Sequence, residues 1–134
     1  MTDVQELIKT AQEAMEKAYA PYSGFKVGAA ILTTDGKVYS GCNVENASYG
    51  ATVCAERCAA LKAVSEGCTS FSMIVIVSST GKYTYPCGVC RQFLSEFFEE
   101  DGKLILWDER RGAMEIAFWD MLPNAFTKKN IDKN

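Results

Sequence analysis

Two short segments of this sequence hold the residues best suited to chemistry: Cys54-Ala55-Glu56 and Pro86-Cys87-Gly88-Val89-Cys90. The 134 residues contain no histidine, which removes every imidazole ligand and base at once. Thiolates at Cys54, Cys87 and Cys90 would leave a tetrahedral zinc with one open position, the feature that separates a catalytic zinc site from a closed structural one. Glu56, two residues beyond the first thiol, is placed to serve that position. Three thiolates give a zinc site a formal charge of about −1, which weakens its power to acidify water. Helix N-termini offset that charge by favouring thiolate over thiol. Arg57 adds a charge-assisted hydrogen bond to a ligating sulfur.

A rival arrangement uses Cys58. It lies four residues after Cys54, on the same face of a regular helix, and would complete a closed four-thiolate site, that of a zinc-stabilised binding module. Against it, Cys54 must sit at or before the first helical turn for Glu56 to face the metal, and there face geometry does not hold. Cys42, Cys58 and Cys68 then read as packing residues.

These groups need elements to hold them. Val4, Leu7, Ile8, Ala11, Met15, Ala18 and Tyr19 recur at helical spacing, with Thr2 as cap, Gln5 completing a capping box, and Pro21 ending the helix. Residues 26–34 and 37–42 read as strands meeting at Asp35-Gly36, a two-residue hairpin turn. A helix over 55–65 closes at Gly67, 73–78 is a β-branched run suited to a strand buried on both faces, and 90–100 reads as a further helix. Strands at 103–107 and 114–118 are joined by a link too short for a parallel crossover, so they pair antiparallel. A helical turn follows at 119–122, then a polar tail over 127–134 that frays. The expected architecture is α/β, a three-layer α/β/α sandwich with a mixed five-stranded sheet and helices on both faces. Cys54 and Cys87 each stand after a loop and before a helix, so two helix N-termini converge on one metal.

The length suits a single domain over 1–134. With 23% charged and 48% hydrophobic residues the composition is that of a soluble globular protein. A net charge of −3 offers no general attraction for phosphate backbones, which argues against nucleic acid as a partner. An acidic N-terminus and no apolar run of spanning length argue against secretion and a membrane, which places the protein in the cytoplasm. Six cysteines there point to metal binding and buried thiols in place of disulfides.

The spacing of the metal segments matches the zinc-deaminase pattern of ligand-x-Glu followed by Pro-Cys-x-x-Cys. With Phe25-Lys26-Val27-Gly28-Ala29-Ala30, the run from Gly41 to Gly50 that includes Asn43-Val44-Glu45-Asn46, Cys54-Ala55-Glu56-Arg57, the segment from Pro86 to Gln92, and Leu122-Pro123-Asn124-Ala125-Phe126, the chain resembles the short cytidine deaminases of nucleoside salvage. The resemblance implies the fold above, one Zn2+ per chain held by Cys54, Cys87 and Cys90, and hydrolysis of cytidine and 2′-deoxycytidine to uridine and 2′-deoxyuridine with release of ammonia. It implies Glu56 as the proton carrier, Arg57 beside the sulfurs, Asn43 and Glu45 on the sugar 3′-hydroxyl, and Phe25 stacked on the base. It also implies backbone contacts at Ala55, and a homotetramer in which Tyr49 and Phe126 reach a neighbouring subunit's site. A carboxylate at Glu45 near the sugar repels a nucleotide phosphate, so a free nucleoside is the expected substrate. Related deaminases of modified cytosine nucleosides lack the complete Asn43-Val44-Glu45-Asn46 block. Cys58 stands where the family often has Thr or Ser, and Asn124 where Gly is common.

Overall fold

The computed structural model describes residues 3–131. In chain order they form α1 (Val4–Met15), β1 (Val27–Thr33), β2 (Val38–Cys42), α2 (Ala55–Ser65), β3 (Phe71–Ser78), α3 (Gly88–Ser95), β4 (Phe98–Asp108) and β5 (Gly112–Ala117), with 3₁₀ turns at Tyr49–Ala51, Phe118–Met121 and Lys128–Asn130. The sheet order is β2-β1-β3-β4-β5, and only β3 and β4 pair parallel. This is the mixed five-stranded α/β sheet expected from the sequence.

The sheet is covered on both faces. Leu7, Ile8 and Ala11 of α1 pack against Ala30, Val75, Val77 and Ile105. Ala55, Ala59, Ala60 and Ala63 of α2 and Leu94 of α3 pack with Ala29, Ile31, Ile74, Ile76, Leu104 and Leu106 on the other side. Alternate residues of β3 thus enter opposite layers, as its unbroken β-branched run requires. Each fully buried Leu or Ile contributes about 2 kcal/mol.

Four of the differences from the expected element boundaries have a clear physical cause or reading. Thr2, the expected cap of α1, lies outside the described residues; Asp3 caps the helix, its Oδ1 accepting from the Glu6 N–H at 2.8 Å. The helix stops at Met15, short of Ala18 and Tyr19, because the Tyr19 backbone is taken up by Asn43 O (3.0 Å) and the Glu45 N–H (2.8 Å). The hairpin loop holds three residues, Thr34 to Gly36, since Leu32 pairs with Val38 and the Thr33 N–H reaches Lys37 O. Gly36 takes the left-handed conformation there, φ +88°, as such loops require.

The fourth difference is the end of α3, which closes at Ser95, with β4 beginning at Phe98 inside the expected helix. Aromatic packing decides it. Phe98 stacks on Phe118 at 4.3 Å between ring centroids and meets Phe71 edge-on at 5.8 Å, and both partners are fully buried. Such pairs add about 1 kcal/mol each beyond the area they bury. At the C-terminal end, Lys128–Asn130 forms a turn capped by Thr127, where a frayed tail was expected.

Two glycines let helices lie directly on the hairpin. A Cβ on Gly28 would stand 2.0 Å from Ala11 O, and one on Gly41 would stand 2.5 Å from Ala59 N. Both contacts are to helix backbone, which cannot rotate aside. Gly28→Ala is therefore expected to lower unfolding free energy by about 3 kcal/mol, whereas Gly50→Ala, with nothing within 4 Å, changes it by under about 0.5 kcal/mol. Chemical denaturation of the two variants checks this, and an unchanged midpoint for Gly28→Ala would show that α1 can slide.

Candidate active site and metal centre

β1 runs antiparallel to both β2 and β3, so the C-terminal ends of β2 and β3 lie side by side at the edge where β1 begins. From that edge the chain launches α2 and α3. Cys54 is the N-cap of α2 and Cys87 the N-cap of α3, both in extended conformation, and Cys87 Sγ accepts from the Cys90 N–H at 3.5 Å. Cys90 lies within the first turn of α3 and is fully buried.

The three sulfurs lie within 4.8 Å of one another, with Cys54 Sγ and Cys87 Sγ 3.8 Å apart. Zinc–sulfur bonds of about 2.3 Å in a tetrahedral site set the sulfurs about 3.8 Å apart. The fit is also electrostatic, because three thiolates this close cannot all be anionic without a cation among them. The Cys90 thiol hydrogen-bonded to Cys54, with the Arg57 guanidinium, brings Cys54 down to about 5, while the same hydrogen bond pushes Cys90 up. Sulfur chemistry, spacing and charge therefore fit one zinc ion per chain.

Arg57 stands where a compensating cation is needed. Its Nη2 donates to Thr52 O at 3.1 Å and to Cys54 Sγ at 3.7 Å, and its buried Nε–H has no hydrogen-bond partner among the described residues. Glu56 is 5% exposed in the first turn of α2. Burial foremost, with the Cys54 charge adding to it, pushes its carboxyl up to about 7. A carboxyl in that range can both accept and return a proton near neutrality. Cys58 does not join the sulfur cluster among the described residues. It faces β2, its Cβ 2.9 Å from the position a Gly41 Cβ would occupy.

The remaining sequence-derived residues fall into two groups. Phe25, Asn43 and Glu45 share the sheet edge. Past Cys42 the chain stays extended, held by paired hydrogen bonds between Val44 and Val53 (2.9 and 3.0 Å), so Asn43 and Glu45 are anchored to the residue preceding Cys54. Asn43 Nδ2 donates to Phe25 O and its Oδ1 accepts from the Val27 N–H, each at 2.8 Å. Ala55, fully buried, opens α2. Tyr49 and Phe126 form the second group, 76% and 60% exposed. Tyr49 forms an edge-to-face pair with Tyr22, ring centroids 6.0 Å apart.

Several supports were not assigned from the sequence. Ser23 and its loop hold Glu45. Arg91 donates to Pro86 O (2.8 Å) and Met121 O (3.1 Å), tying the loop before Cys87 to the C-terminal segment, and Gln92 Nε2 donates to Phe126 O at 2.8 Å. The only signal for the last two is an arginine and an amide in the turn that follows Cys90.

Comparison with known proteins places these features in context. Residues 1–104 match the family model for the cytidine and deoxycytidylate deaminase zinc-binding region. A cytidine deaminase of Halalkalibacterium halodurans is 47% identical over 130 residues, spanning 97% of this chain and 98% of that protein. One from Sporosarcina psychrophila is 43% identical over 129 residues, spanning 96% and 95%. The crystal structure of cytidine deaminase from Burkholderia pseudomallei superposes with a TM-score of 0.87 at 45% identity, covering 93% of this chain and all of that one.

The geometry makes a direct prediction for metal content. Cys54→Ala, Cys87→Ala and Cys90→Ala should each drop from about one zinc per chain to under about a tenth, and Cys58→Ala should keep its zinc. Elemental analysis of the purified variants reads this out; loss of zinc from Cys58→Ala would place a fourth sulfur in the site.

Proposed function

The chain belongs to the cytidine and deoxycytidylate deaminase family, and from that premise we propose that it deaminates cytidine and 2′-deoxycytidine hydrolytically, giving uridine and 2′-deoxyuridine with release of ammonia. The observation that carries the reading is the buried Glu56, in the first turn of α2 two residues beyond Cys54, next to a three-sulfur cluster in which no fourth protein ligand takes part among the described residues.

Cys54, Cys87 and Cys90 would hold the zinc, which would supply Lewis-acid activation of a water. Glu56 takes a proton from the attacking water as its oxygen bonds to carbon 4 of the base, and delivers that proton to ring nitrogen 3. It then takes the second proton from the new hydroxyl on carbon 4 and gives it to the amino group, so that the carbonyl forms as the bond from carbon 4 to the amino nitrogen breaks and ammonia leaves. The carboxyl thus ends in the state in which it began, and its elevated proton affinity suits both directions of transfer. Arg57, bonded to Cys54 Sγ and Thr52 O, draws charge from the sulfur and fixes the start of α2.

Substrate recognition follows from the other residues at the sheet edge. Phe25, 37% exposed, offers a ring face to the pyrimidine. Asn43 and Glu45 hold the 3′-hydroxyl, which ribose and deoxyribose nucleosides share, and Ala55 contributes backbone contacts at the start of α2. The Glu45 carboxylate disfavours a phosphate on the sugar, so the substrate is a free nucleoside, and neither nucleotide nor nucleic acid. Such a reaction belongs to pyrimidine salvage. The free thiols of Cys42, Cys58 and Cys68 suit a reducing compartment, in keeping with the cytoplasm. No helix among the described residues is long and apolar enough to cross a membrane.

The active form is a homotetramer with sites shared between subunits. Tyr49, Phe126, Tyr22 and Val89 are all more than half exposed, an apolar surface that a neighbouring copy would cover. Tyr49 and Phe126 are the residues that reach into the adjoining site.

Glu56→Gln is expected to retain zinc while ammonia release from cytidine falls by about 10⁴-fold. Near-normal turnover in that variant refutes the assignment. With the unaltered protein, cytidine and 2′-deoxycytidine should be consumed and cytidine monophosphate left intact; efficient turnover of the monophosphate alone would overturn the role given to Glu45.

A further inference from the structure

We infer that Ser23 is a positioning residue for sugar recognition, its hydroxyl linking the Glu45 carboxylate to the backbone of Phe25 so that the 3′-hydroxyl of the nucleoside meets a fixed acceptor. The inference rests on the reading of Glu45 as the sugar contact and adds to it the residue that sets that contact's strength.

The argument is an accounting of donors and acceptors. Glu45 Oε1 accepts from the N–H of Tyr22 (3.0 Å) and of Ser23 (3.1 Å), and Oε2 accepts from the Ser23 hydroxyl. A carboxylate offers about four acceptor sites. Three are filled, all by donors fixed in one loop, and the one left on Oε2 can be met only by another donor such as a sugar hydroxyl. The same bonds, the Ser23 hydroxyl first among them, hold the Glu45 carboxyl below its ordinary range and keep it ionised. Ionised and held, it is an acceptor of one direction.

Ser23 Oγ also works as an acceptor, taking the Phe25 N–H at 3.0 Å. On its far side the Phe25 carbonyl accepts from Asn43 Nδ2 at 2.8 Å. A single hydroxyl therefore closes a circuit through Glu45, Phe25 and Asn43, joining the two polar residues read as sugar contacts to the aromatic read as base contact. Without it, Glu45 keeps two backbone hydrogen bonds on Oε1 but Oε2 is released, and the Phe25 N–H loses its acceptor. The loop itself stays closed by the Gly24 N–H on Ala20 O at 2.9 Å, so Ser23→Ala acts on orientation and leaves the fold in place.

The test compares 2′-deoxycytidine with 2′,3′-dideoxycytidine, which differ only in the 3′-hydroxyl. In the unaltered enzyme kcat/KM should favour the first. In Ser23→Ala that preference should shrink by about tenfold or more, the energy of a hydrogen bond to a charged group, through a raised KM for 2′-deoxycytidine with kcat little changed and a much smaller effect on 2′,3′-dideoxycytidine. Ser23→Thr, which keeps the hydroxyl, should restore the preference; should the alanine variant fold poorly, Ser23→Cys, close in size and a weak donor, gives the same readout. An undiminished preference in Ser23→Ala, or an equal loss on both substrates, overturns the inference while leaving Glu45 as the sugar contact. An unaltered enzyme indifferent to the 3′-hydroxyl overturns the Glu45 reading, and this inference falls with it.

Discussion

Three cysteine sulfurs gathered within 4.8 Å, which repel one another as thiolates, are the constraint around which this structure is arranged. Their mutual repulsion must be met by positive potential from several directions, and the fold supplies it by geometry. Because β1 is antiparallel to both of its neighbours, β2 and β3 end on the same edge of the sheet. The chain turns from each of those ends into a helix, and each helix begins at a cysteine. Two sets of free N–H groups thus face one point, where a helix start carries about half a positive charge, and the Arg57 guanidinium reaches the same place. Active sites of α/β proteins gather at the carboxyl ends of strands for the same reason.

The same edge explains why residues distant in sequence act together. Phe25 lies just before β1 and Asn43 just after β2; register sets Gly28 opposite Cys42 and Val27 opposite Ser78. The polar groups in this region are bonded mainly to backbone: Asn43 to residues 25 and 27, Glu45 to residues 22 and 23, Arg57 to residue 52 and Arg91 to residues 86 and 121. Backbone partners move less than side-chain partners, so each such bond orients a functional group without needing a further residue to hold it.

Thiols, Glu56 and helix starts were legible in the sequence because the chemistry depends on residue type and on spacing of two or three positions. The hairpin strands, α2 and β3 were legible through period and β-branching. The missed features are those decided by tertiary partners. Ala18 and Tyr19 continue the helical period of α1, yet the hydrogen-bonding edge of the segment after β2 draws Tyr19 away. Phe97 and Phe98 continue that of α3, and the cluster of Phe71 and Phe118 claims them for the sheet side. Ser23, Arg91 and Gln92 could not be assigned roles because a bond to a carbonyl or to a carboxylate more than twenty positions away leaves no local pattern. Asn124 is different: its φ of 54° is one that asparagine tolerates better than most residues.

How α2 sits on the hairpin decides whether Cys58 joins the sulfur cluster. An ideal helix would align Cys58 with Cys54, but Cys54 is a cap with extended dihedrals, outside the helical phase. Within α2 the phase is fixed by burial of Ala55, Ala59, Ala60 and Ala63, small side chains that let the helix approach the sheet closely. That approach is possible only because Gly41 has no side chain. With the alanines against the sheet, Cys58 is directed to β2 and Glu56 remains buried at the helix start. The packing that stabilises α2 is therefore also what keeps a fourth sulfur out of the cluster, so that one core interaction answers for both the fold and the three-sulfur composition of the site.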